Sequence, residues 1–66
     1  MWDLILVHNL FKGDLFYTHA NQTIKKCSRE PYINKQGTLC VDYSLNGASY
    51  TDYFYKGDKC YVKSKI

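Results

Sequence analysis

Five side chains in this 66-residue sequence have the chemistry for a nucleophile or a metal site: Cys27, Cys40, Cys60, His8 and His19. A cysteine becomes a nucleophile when a neighbouring imidazole, cation or helix N-terminus lowers its pKa. Lysines adjoin Cys27 and Cys60, but no imidazole lies near any of the three thiols in the sequence, and there is no Gly-rich elbow or phosphate loop. No CxxC pair occurs, and the histidines are not at zinc-finger spacing from a cysteine pair. A hairpin turning at Gly13-Asp14 would set His8 across from His19, but two ligands make only half a metal site. The expectation is a chain without catalytic activity, metal or cofactor. Three widely spaced cysteines also do not fit the even-numbered framework of a secreted disulfide scaffold. They are expected as reduced, partly buried thiols in a cytoplasmic protein.

The other reactive material is cationic and aromatic. Nine Lys and Arg against six Asp and Glu leave a net charge of +3, and seven Tyr, three Phe and one Trp are a heavy aromatic load. Lys25, Lys26 and Arg29 form one basic cluster, and Lys56, Lys59, Lys63 and Lys65 form another. Exposed aromatics beside lysines are how small β-domains hold single-stranded nucleic acid, by stacking and phosphate contact. Against that reading, Asp14, Asp42, Asp52 and Asp58 dilute every basic stretch, and no RNP-type aromatic motif occurs.

Tyrosine is equally the residue of protein interfaces, where it offers large contact area with a polar tip. A domain this small buries only about 60% of its unfolded surface. One of two aromatic sheet faces would thus stay uncovered, as partner surfaces do. The favoured expectation is a non-catalytic protein-binding module, a small regulator or inhibitor docking through a Tyr-rich face or an edge strand. The same edge could pair with a second copy to make a homodimer. The expected partner-binding residues are Tyr53, Tyr55, Tyr61, Lys59 and Tyr32. Single-stranded nucleic acid is the alternative partner.

The elements that must position these residues are strands. Asn46-Gly47 lies between alternating apolar residues, a strong signal for a type I′ hairpin. Its register pairs Leu45 with Ala48, Tyr43 with Tyr50, Val41 with Asp52 and Leu39 with Phe54 on one face. Ser44 with Ser49, Asp42 with Thr51, Cys40 with Tyr53 and Thr38 with Tyr55 take the other. A second turn at Gly57-Asp58 would fold 59–65 back on 48–56, making a three-stranded meander with 48–56 in the centre and Lys63 beside Asp52. Cys40 and Cys60 would then lie two strands apart, at about 10 Å, too far for a disulfide.

At the N-terminal end, Leu4–Phe11 and Leu15–Thr18 flank Lys12-Gly13-Asp14 as a further hairpin. The first strand is apolar on both sides, as a strand covered on both faces would be. The run Phe11-Lys12-Gly13-Asp14 returns as Tyr55-Lys56-Gly57-Asp58, which reads as one tight turn used twice. Ala20, Ile24 and Cys27 recur at helical spacing, so 20–29 is expected as a short helix or irregular connection, followed by a loop over 30–37. The fold class is mainly β: a small antiparallel sheet or partly open barrel, a single domain over 1–66. The apolar run 4–7 is short, follows Asp3 and lacks a basic leader, which argues against a signal peptide and against membrane association. Frequent Lys, Asn, Tyr and Ile suggest an AT-rich genome such as that of a low-GC bacterium or a phage.

Overall fold

The computed structural model describes residues 1–65. Seven strands form one open antiparallel sheet: β1 (Trp2–Leu6), β2 (Leu15–Tyr17), β3 (Lys25–Cys27), β4 (Tyr32–Ile33), β5 (Leu39–Leu45), β6 (Ala48–Phe54) and β7 (Lys59–Lys63). The strand order is β1-β7-β2-β3-β5, with β4 beside β3 on the same edge of β5 and β6 on its other edge. The sheet does not close into a barrel.

The Asn46-Gly47 hairpin forms as its sequence requires. Both loop residues have positive φ, 53° and 82°, the mark of a type I′ turn. All seven register pairs from Leu45–Ala48 to Leu39–Phe54 are those the alternation predicts. The expected Thr38–Tyr55 pair lies beyond the strand ends.

The meander does not form. Gly57 does turn, with φ 95°, but β7 leaves β6 and inserts between β1 and β2. The physical reason lies in the turn itself. The Tyr55 N–H donates to Asp58 Oδ2 at 2.8 Å, and the Asp58 N–H donates back to the Tyr55 carbonyl at 3.0 Å. The turn thus closes on itself; a two-residue Gly57-Asp58 loop would moreover require Phe54 to bond to β7 with the N–H and C=O it already gives to Leu39. Phe11-Lys12-Gly13-Asp14 makes the same turn, with the Phe11 N–H on Asp14 Oδ2 at 2.9 Å and the Asp14 N–H on the Phe11 carbonyl at 3.1 Å. The repeated motif is therefore one turn used twice, and neither copy closes a hairpin.

The N-terminal hairpin is likewise replaced. β1 and β2 lie on opposite sides of β7, because the chain leaves the sheet after Leu6 in a single 3-10 turn (Val7–Asn9). That detour drops Val7 and Leu10, 0% and 2% exposed, onto the concave face, where they meet Phe16, Cys27, Leu39, Val41, Tyr43, Cys60 and Val62. A one-sheet domain of this size needs such a plug to fill its core. His8 and His19 are both exposed and belong to a turn and a loop, so they do not face each other across a ladder. β1 is the edge of the sheet, with Leu4 54% exposed, and is not covered on both faces.

Residues 20–29 contain no helix. Thr18 and Asn21 hold an irregular turn through mutual hydrogen bonds, and Lys25–Cys27 then enters the sheet with Lys25 and Cys27 inward and Lys26 outward. The loop expected over 30–37 contains β4, joined to β5 by a turn in which Asn34 Oδ1 accepts the Gln36 and Thr38 N–H groups. Cys27, Cys40 and Cys60 are free and buried, and β2 and β3 lie between the strands of Cys40 and Cys60.

Candidate partner-binding surfaces

The crossing of β7 divides the expected site in two. Tyr53 and Tyr55 lie on and just after β6, 65% and 83% exposed. Tyr61 and Lys59 lie on β7, with β2, β3 and β5 between them and β6. Tyr32 occupies β4, opposite Cys40 as Tyr53 is on the other side, so Tyr32 and Tyr53 share the convex face. Tyr32 is already engaged there. Its hydroxyl donates to Asp42 Oδ1 at 3.1 Å, and Arg29 lies over its ring at 4.1 Å. The Thr51 hydroxyl also donates to Asp42, at 2.7 Å. The Asp42 cluster is thus an internal brace across β4, β5 and β6.

The first surface is the free edge of β6. In a type I′ hairpin the pair closing the loop exchanges both backbone bonds, and such pairs then alternate. Ala48, Tyr50, Asp52 and Phe54 therefore bond to β5, while the N–H and C=O of Ser49, Thr51 and Tyr53 point away from it. An independent contact agrees with this register: the Asp42 carbonyl, opposite Thr51, accepts the Ser28 N–H at 2.8 Å on the far edge of β5. Natural edges are usually guarded by Lys, Pro or bulges. β6 has none of these; the one guard it has is Asp52, a charge turned inward to Lys25 at 3.5 Å. Tyr50, stacked on Tyr43 at 5.5 Å and 49% exposed, flanks the concave side of the edge, and Tyr53 and Tyr55 flank the convex side.

The second surface is the convex face of β1, β7, β2 and β3. Tyr17 and Tyr61 stack at 5.0 Å, and Trp2 meets Tyr17 edge-on at 4.8 Å. Lys59, Lys63 and Lys26 are exposed beside them, opposite Leu6, Trp2 and Leu15. Sequence reasoning did not bring Trp2, Tyr17 and Lys26 together here, because β1 reaches β2 and β3 only through β7.

The covalent candidates are held inert. Burial pushes the Cys60 thiol up to about 11 and, as the largest cause, raises Cys27 as well. The two buried charged residues are both engaged: Lys25 with Asp52 and two ring faces, Asp14 with Lys65 at 3.0 Å and the Phe11 N–H. Among the described residues no buried side-chain nitrogen or oxygen lacks a partner, and no group of three His, Cys, Asp or Glu could hold a metal ion. A depression of about 420 Å³ lies along Ile5, Phe11 and Val62; of its two carboxylates, Asp14 is already occupied by Lys65 and Asp3 is exposed on the edge strand. Among the described residues no helix is long and apolar enough to cross a membrane. Comparison with family models, curated proteins and solved structures returns no match.

Proposed function

We propose that the chain is a non-catalytic protein-binding module, a small regulator or inhibitor, that takes an extended segment of its partner as an added strand on β6. The observation that carries this reading is the free, flat edge itself. Seven residues long, it turns three sets of backbone donors and acceptors outward and has Tyr50, Tyr53 and Tyr55 exposed along it. Strand addition takes its affinity from such main-chain bonds and its specificity from flanking side chains. The tyrosines supply that flank at low conformational cost.

The test uses a library of extended octapeptides selected on the immobilised chain. Selected peptides should bind equally at 50 and 500 mM salt and should weaken on Tyr53→Ala. N-methylation of Thr51, installed by chemical synthesis, removes the central outward donor and leaves every bond to β5 intact. It should weaken the peptides about tenfold or more, the worth of one hydrogen bond near 1.4 kcal/mol. Peptides indifferent to both changes would overturn the reading, and so would a failed selection.

A further inference from the structure

We infer that the convex face of β1, β7, β2 and β3 is a second binding site, and that its ligand is single-stranded nucleic acid. The charge distribution carries the inference. Of the nine basic residues, Lys25, Arg29 and Lys65 are spent on Asp52, Asp42 and Asp14, leaving six without an acidic partner among the described residues. Lys12, Lys35 and Lys56 sit in turns. The other three, Lys26, Lys59 and Lys63, gather on this one face.

Their spacing follows from the sheet. Lys59 and Lys63 are on the same side of β7, about 13 Å apart at 3.3 Å per residue. Phe16 opposite Val62 brings Leu15 level with Lys63, and Leu15 is opposite Lys26. Lys63 and Lys26 are thus two strand spacings apart, about 10 Å. No strand residue of this part of the face is acidic. Asp3, opposite Val62, belongs to the concave side of β1. Asp58, next to Lys59, spends a carboxylate oxygen on the Tyr55 N–H.

Tyr61 and Tyr17 lie between the lysines, and β1 adds Leu4, opposite Tyr61 and 54% exposed, and Trp2 on the outer side of β7, with the Trp2, Tyr17 and Tyr61 rings packed on one another. Duplex nucleic acid offers such a surface only phosphates and would leave the rings unmet. Unpaired bases meet both, stacking on aromatics while their phosphates reach the lysines, with little dependence on sequence. The face suits an oligonucleotide better than an acidic protein segment for the same reason, since carboxylate side chains would satisfy the lysines and not the rings.

The test is titration of the full chain with fluorescein-labelled oligo-dT of 15 nucleotides, read by anisotropy and by emission of the single Trp2, whose ring sits in the face. Three phosphate contacts on a single strand give a log–log salt slope near −2, so affinity should fall about 20-fold between 50 and 200 mM salt. Each of Lys26→Gln, Lys59→Gln and Lys63→Gln should flatten that slope by about 0.7, and Lys35→Gln should leave it unchanged. Tyr53→Ala should leave oligo-dT binding unchanged, which separates this site from the β6 edge. Equal binding of a 15-base-pair duplex or of a poly-Glu peptide would overturn the inference. So would a bound oligonucleotide that leaves Trp2 emission unaltered, or binding that Tyr53→Ala weakens.

Discussion

Replacing Asp52 by Asn isolates the electrostatic core of the sheet. Lys25 is 2% exposed, with its ammonium 3.5 Å from Asp52 Oδ2, 5.2 Å from the Tyr43 ring centroid and 5.8 Å from that of Phe16. At an effective dielectric of 20, two unit charges 3.5 Å apart interact by about 4.7 kcal/mol. Asp52 is 37% exposed, so solvent screens part of this. The asparagine keeps the shape and an acceptor for the Tyr43 hydroxyl, and removes only the charge. What remains is a buried cation with ring faces for company, worth about 1–2 kcal/mol in a desolvated setting. The net cost should be about 2–3 kcal/mol, the low side of what breaking a buried pair costs. For a domain this small that is roughly a 10–20 °C fall in Tm by calorimetry. Lys63→Gln, removing the partner that the alternation alone suggests, should cost less than about 0.5 kcal/mol. Lys25→Met combined with Asp52→Asn should recover at least about 1 kcal/mol of the loss, because the stranded cation is gone. An Asp52→Asn cost under about 0.5 kcal/mol would refute the reasoning, and so would a Lys63→Gln cost equal to it.

Four further outcomes rest on other parts of the fold. The folded chain should resist thiol labelling by a disulfide reagent at pH 8 and react fully in guanidinium. Cys60 has its pKa raised from 9.0 to about 11, so its stabilising contribution is whole below about pH 9 and is lost as pH rises towards 11, at most about 2.7 kcal/mol; urea unfolding of the native chain and Cys60→Ala across that window should diverge by this term, and parallel profiles would count against it. Gly47→Ala should cost about 1–2 kcal/mol from its φ of 82° alone, since a Cβ there meets nothing within 4 Å, whereas Gly47→Asn should be far milder by thermal melt. Asp14→Ala and Asp58→Ala break the same turn at different depths. The first, 6% exposed and bonded to Lys65, should lose about 2–3 kcal/mol in chemical denaturation, and the second, outside the core, about 1 kcal/mol.

What could be read from the chain divides by range. The Asn46-Gly47 hairpin was legible down to every pair in its strands, because turn chemistry and period-two alternation are both local. The mainly β class was legible for the same reason; the free thiols were legible from their odd number and wide spacing, whereas the meander register that set Cys40 apart from Cys60 did not form. The partners of β7 were not. Trp2 pairs with Lys63 across nearly the whole chain, and nothing within a few residues of either records it. The Gly-Asp turns misled for a reason visible in hindsight: each aspartate can cap its own turn, and a capped turn need not return the chain to the strand it left. Lys25 was read as part of a surface basic cluster, although Lys25, Lys26 and Cys27 alternate inward, outward and inward once they are a strand.

That long-range crossing also decides how the candidate binding residues relate. Had β7 paired with β6, Tyr61 and Lys59 would lie on the face opposite Tyr53 and Tyr55. In the observed order β2, β3 and β5 stand between β7 and β6 within the sheet, yet the Tyr55–Asp58 turn keeps Tyr55 beside Lys59, and Phe54 and Lys59 line one depression, so the β6 edge and the β7 face adjoin at that turn. Their chemistries differ in kind. On the proposed reading the recognising groups at β6 are backbone donors and acceptors, so affinity there would be set by strand geometry and be indifferent to salt. On β7 they would be lysine ammonium groups around aromatic rings, so affinity there would follow ionic strength, and a salt titration would tell the two ligands apart.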